Sequence, residues 1–177
     1  MKAQVHSTKT GVEEAARDGH FGPVTHLDFN RAASTLSDLM LSCSMDWTVK
    51  LWSQRQSEVP LASFETSKDY VFDAKWSPVH PALFASANGS GMLDLWNLNA
   101  DLEVPQARAK VSSCALSALQ WVPGGRRILV GDARGRVHLY EVAVEFAVPR
   151  ANEISRLENR VTELSELAAL SAAPSHA

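Results

Sequence analysis

Three alternating segments end on an aromatic residue at one fixed interval: "TVKLW" at Trp52, "MLDLW" at Trp96 and "RVHLY" at Tyr140, 44 residues apart both times. A fixed interval of this length means that one supersecondary unit recurs, and each unit buries its apolar face only against a neighbour. Each interval holds the same internal order. An alternating strand opens it, at 24–29, 70–76 and 115–121, followed by the turn-rich stretches "NRAASTLSD", "SPVHP" and "VPGGR". A second strand lies at 39–44, 83–87 and 127–131. A tight turn rich in Asp, Asn and Gly then leads into the aromatic-ended strand, because these residues tolerate positive φ or bond their own backbone. A weaker fourth strand is expected at 61–65, 104–111 and 145–149.

Four strands per unit at a period of about 40–45 residues is the signature of an all-β WD-repeat propeller, with each sheet as one blade. The repeats run about 19–66, 67–111 and 112–150. Residues 1–18 read as the end of a preceding blade or a disordered start, with "STKTGV" as a candidate outer strand. Three blades are too few to close a ring of about 4–8. The expectation is therefore part of a longer chain or a truncated copy, with self-association as a lesser alternative.

Trp52, Trp96 and Tyr140 end the third strand of each blade, where a buried ring keeps a polar edge that needs a partner. His20, Asp46 and Ser42 or Ser44 are the candidates to supply it in the first repeat. The second and third repeats carry Ser90 and Arg134 in register with Asp46, and neither opens with Gly-His. Trp47 falls inside a turn, where it either packs on an adjacent blade or anchors a partner.

The chain has 177 residues, 45% hydrophobic and 21% charged, with net charge −3, which gives no basic field for nucleic acid. No apolar run reaches the ~18 residues of a membrane span. The start lacks the apolar core of a signal peptide. Cys43 and Cys114 stand alone and read as free thiols buried in strands of a cytosolic protein. The six histidines show no metal-ligand spacing, and "PGGRRILVGDARGR" lacks the Gly-Lys-Ser/Thr ending of a phosphate loop. No catalytic residue, cofactor, metal or small-molecule substrate is expected. Lys75 and Asp94 are candidates for a cross-strand pair. Arg126, Arg127, Arg134 and Arg136 gather around one hairpin, as a solvated rim, a partner for the acidic residues of 141–166, or a contact for an acidic partner helix.

After "AVPR" the period becomes helical over 151–171. Ile154, Leu157, Val161, Leu164 and Ala168 share one face, Leu167 and Leu170 widen it, and 172–177 reads as a disordered tail. The helix either folds back on the blades or pairs with another helix through its two heptads.

The wording of "GHFGPVTHLDF" (19–29), "DWTVKLW" (46–52), "DYVFDAKWSPVHPALFASANGSGMLDLWNLN" (69–99) and "FAVPR" (146–150) resembles the carboxy-terminal propeller of cytoplasmic dynein intermediate chains. The likeness covers roughly residues 10–150. It implies a non-catalytic motor subunit of the cytoplasm and cytoskeleton, whose propeller of seven blades docks on the dynein heavy chain. The family's amino-terminal region, which binds light chains and dynactin, has no counterpart among these residues. An axonemal intermediate chain or an unrelated WD-repeat scaffold is the alternative.

Overall fold

A computed structural model describes residues 19–57, 59–65 and 69–172, apart from the side chain of residue 172, together with the backbone of 4–6 and 13–15. Readings that fall on 7–12 and 173–177 lie outside these residues. β1 (Gln4–His6) and β2 (Glu13–Ala15) pair antiparallel. The first blade is the meander β3 (Val24–Phe29), β4 (Leu39–Ser44), β5 (Thr48–Ser53) and β6 (Ala62–Glu65). The second is β7 (Val71–Trp76), β8 (Leu83–Asn88), β9 (Met92–Asn97) and β10 (Ala107–Lys110). The third is β11 (Leu116–Trp121), β12 (Arg127–Asp132) and β13 (Val137–Glu141), three strands where four were expected.

The three aromatic ends occupy equivalent places. Trp52 pairs with Met40, Trp96 with Phe84 and Tyr140 with Ile128. Alternation along the strands sends each sheet's two faces to different neighbours. Leu41, Cys43, Val49 and Leu51 of the first blade meet Ala74, Trp76, Phe84 and Trp96 of the second in one core cluster. Ala85, Ala87, Leu93 and Leu95 on the second blade's other face meet Leu119, Trp121, Ile128 and Val130 of the third.

Hydrogen bonds between the first strands of successive blades complement this apolar contact. Thr25 Oγ1 donates to the Val71 carbonyl at 2.6 Å, and Asp28 accepts the Trp76 N–H at 2.8 Å. Asp73 accepts the Leu119 N–H at 2.7 Å, and Trp121 Nε1 donates to the Lys75 carbonyl at 3.0 Å. Burial raises the Asp73 pKa, against the lowering effect of the Leu119 bond.

The segment 145–149 is not a strand. Val144–Ala147 forms the short helix α1, and both Phe146 and Ala147 pack on the second cluster. Neighbouring residues of a strand point to opposite faces, so only a helical turn lets these two bury together.

α2 (Glu153–Ala172) lies back on the blades. Leu157 and Val161 enter the cluster between the first and second blades, and Leu164 packs on it. Ile154, expected on the buried face, is exposed, while Glu153 is 4% exposed. Glu153 holds that place because its carboxylate and its carbonyl both accept Asn99 Nδ2, at 2.5 and 3.0 Å.

Cys43 lies in the first interface with its thiol pKa pushed up to about 11 by burial, whereas Cys114 is half-buried. A thiol reagent at neutral pH is therefore expected to label Cys114 in the folded protein and Cys43 only on unfolding. Peptide mass spectrometry over a labelling time course checks this, and equal rates would contradict the placement of Cys43.

Candidate functional site

The loop before β3 turns back over the end of the first blade. This brings His20 Nδ1 to 2.8 Å from Asp46 Oδ2 and Nε2 to 2.6 Å from Ser42 Oγ. Trp52 Nε1 donates to the same Ser42 oxygen at 2.8 Å. With the proton on Nδ1 every partner is satisfied: Trp52 donates to Ser42, Ser42 to His20, and His20 to Asp46. Burial lowers the His20 pKa against the raising effect of Asp46, which keeps the ring neutral near pH 7. Burial also acts to raise Asp46, but bonds from Thr48, His20 and the Phe21 N–H outweigh it and lower its pKa. This satisfied network binds the entering loop to the turn.

The other blades close the same turn from two residues earlier. Asn88 Oδ1 accepts Ser90 Oγ and the Met92 N–H. Asp132 Oδ1 accepts the Arg134 and Arg136 N–H groups, while Oδ2 accepts Ser112 Oγ at 3.0 Å and Arg136 Nε at 2.8 Å. His138 Nε2 lies 3.1 Å from the same oxygen. Burial opposes ionisation of Asp132, yet bonds from Arg136 and His138 hold its carboxyl well below the usual range. Asn88 and Asp132 belong to the turns that the sequence marks by their Asp, Asn and Gly, although matching the repeats on Asp46 sets Ser90 and Arg134 in the equivalent place. Matching on Ser44 puts Ser, Asn and Asp at one position.

The described residues depart from the expected charge pairs. Asp94 bonds Arg108 Nε at 2.6 Å, while Lys75 Nζ reaches His26 Nε2 at 2.5 Å. Lys75 and Asp94 project from opposite faces of their sheet, because Lys75 pairs with Ala85 and Asp94 with Ser86. The four arginines do not form one patch. Arg126 and Arg127 stand at the start of β12, and Arg134 and Arg136 beyond its other end. Arg126 pairs with Glu141 at 3.2 Å, and Arg136 is held by Asp132. Arg134 is an exposed member of the turn.

The turns between second and third strands share one rim of the arc. In the second and third blades the left-handed turn position is glycine, Gly91 at φ 82° and Gly135 at φ 78°. In the first blade it is Trp47, at φ 74°. A bulky side chain in this conformation stores roughly 1–3 kcal/mol of strain. Trp47 is nonetheless 47% exposed, beside Met45 at 37% and near Phe21 at 87%. Tyr70 is exposed at the matching end of the second blade. Among the described residues no cluster of three or more His, Cys, Asp or Glu side chains is placed to hold a metal ion.

Sheet order, repeat register and the turn rim define a WD-repeat protein, and residues 12–53 match the family model described as "WD domain, G-beta repeat". A relative narrows this further. The chain is 44% identical over 165 residues to the cytoplasmic dynein 1 intermediate chain of Drosophila melanogaster, a match covering 92% of this chain and 25% of that protein. The chain therefore belongs to the dynein intermediate chain family. It spans about a quarter of the relative's length.

Proposed function

We propose that the chain is a non-catalytic scaffold segment of a cytoplasmic dynein intermediate chain, docking on the dynein heavy chain in microtubule-based transport. Its turn rim supplies the contact, with Trp47 as anchor and Arg134 as a peripheral charge. The observation that carries the docking surface is the left-handed Trp47, half-exposed where the sister blades use glycine. About half of the Trp47 surface stays open to solvent despite the strained backbone, and aromatic residues dominate interface energetics. The site chemistry supports a scaffold role, because the His20 and Asp132 networks are internally satisfied. Two clefts beside α2 measure about 200 and 110 Å³, below the ~300 Å³ of ordinary small-molecule sites.

Co-purification of heavy chain with the tagged chain tests the reading. Trp47→Gly relieves the backbone strain, so the folded arc is expected to be at least as stable as the parent. Heavy-chain recovery should nonetheless fall by tenfold or more, about the loss of one interface hot spot. Arg134→Glu should lower it less and in a salt-dependent way, as rim charges do. Undiminished recovery with Trp47→Gly would remove the anchor.

A further inference from the structure

We propose that the cleft between the second blade and the start of α2 receives the carboxamide of an asparagine or glutamine side chain from a polypeptide partner. The cleft measures about 110 Å³. Its walls come from the second blade, which has a neighbour on both sides, and from α1 and α2. β8 runs from this cleft to the turn rim, from Leu83, whose N–H donates to the His80 carbonyl, to Asn88 in the turn. The cleft therefore lies at the opposite strand ends from Trp47 and offers a second contact, independent of the rim.

Two buried polar side chains line this cleft, each with one atom that lacks a partner. His80 is 3% exposed, and its Nδ1 accepts the Ala82 N–H at 3.3 Å, which places the ring proton on Nε2. Burial lowers the His80 pKa, so the ring stays neutral near pH 7 and Nε2 is a donor. Among the described residues nothing accepts from it. Asn99 is 6% exposed, and its Nδ2 is taken by the Glu153 carbonyl and carboxylate, while Oδ1 has no partner. Turning the amide over would set Oδ1 against two acceptors, so this orientation is fixed. Buried polar groups are normally paired, and a free donor and a free acceptor lining one cleft define what fits between them.

The complement is a group that accepts at one atom and donates at another. A carboxylate accepts but cannot donate to Asn99, and an ammonium donates but cannot accept from His80. A hydroxyl does both through a single oxygen. A carboxamide does so from an oxygen and a nitrogen, and so serves groups that stand on two different loops. Charge agrees, because Arg150 and Arg156 are matched by Glu145 and Glu153, which leaves no net field for an ion. The volume falls below the ~300 Å³ of ordinary small-molecule sites and suits one inserted side chain. Glu145 and Arg150 are exposed where they line the cleft, which opens it to a partner's surface.

Titration of the full 19.3 kDa chain with N-acetylglutamine methylamide, read by the side-chain nitrogen resonances of His80 and Asn99, tests this. Both resonances are expected to shift together and to saturate at millimolar concentration. N-acetylglutamate methylamide leaves Asn99 Oδ1 unpaired and should bind at least about tenfold more weakly. His80→Phe should remove the response to the glutamine compound while circular dichroism stays that of the parent. Should that variant not fold, the two compounds compared on the parent decide. No saturable shift at these residues, equal binding of the two compounds, or preference for the glutamate compound would each overturn the proposal, the last by making the cleft an anion site.

Discussion

Trp96→Ala is expected to remove about 3–5 kcal/mol of stability, the loss usual for deleting a large buried aromatic side chain. Trp96 is fully buried, stacked on Phe84 at 6.0 Å with 5° between ring planes. It also meets Phe64 edge-on at 5.2 Å and donates from Nε1 to Ser86 at 3.3 Å. Phe64 lies in the first blade, whereas Phe84 and Trp96 lie in the second, so the cavity opens in the seam between them. The loss is a large share of the ~5–15 kcal/mol that holds a typical domain together. Because neighbour interfaces carry much of a repeat protein's stability, the first blade should loosen before the third. Urea unfolding gives the magnitude, and hydrogen exchange should show earlier opening of β3–β6 than of β11–β13. Tyr140→Ala is the control, since that ring is only half-buried and has Val130 where Ser86 stands. A Trp96→Ala loss below about 1 kcal/mol would contradict the seam as described.

The blades were legible because their marks are local. Strand alternation and a rare aromatic at a fixed interval require no knowledge of what lies across the sheet. The same register places Trp52, Trp96 and Tyr140 on equivalent faces. Features that depend on a neighbour were not legible. Phe146 and Ala147 alternate plausibly as strand residues, and only the shared apolar surface beneath both of them selects a helical turn. Glu153 reads as solvated until Asn99, 54 residues away in sequence, supplies a donor. Lys75 and Asp94 are in one sheet, but their opposite faces follow from pairing partners rather than from sequence spacing. At the rim, the turn and its tryptophan were visible in the sequence. The left-handed backbone that distinguishes Trp47 from Gly91 and Gly135 emerged only with the dihedral angles.

Leu157→Asp should separate two ways in which α2 could matter. The helix follows the third blade, begins beside Asn99 of the second and reaches Gln56 of the first, where Ser165 Oγ donates to the Gln56 carbonyl at 3.0 Å. Arg156 Nη2 donates to the Asn99 carbonyl at 2.8 Å. It therefore ties the first and second repeats from one side, with Leu157 at 0% exposure as its deepest contact. Leu157→Ala deletes that contact and is expected to cost about 2–5 kcal/mol, much the same at pH 7 and pH 4.5. Leu157→Asp adds the desolvation of a carboxylate, which shifts a buried group's pKa upward. A folded pKa above the unfolded ~3.9 means the protonated form is favoured in the fold, so the extra penalty is full at pH 7 and shrinks as pH falls towards 4. The gap between the two variants should narrow accordingly. If the helix instead lifts away to hydrate the carboxylate, the gap stays constant with pH and trypsin cuts early after Arg156 and Arg160. Either result keeps α2 as a tie across the blades. A cost below about 1 kcal/mol for both variants would show that the two sheets hold together without it.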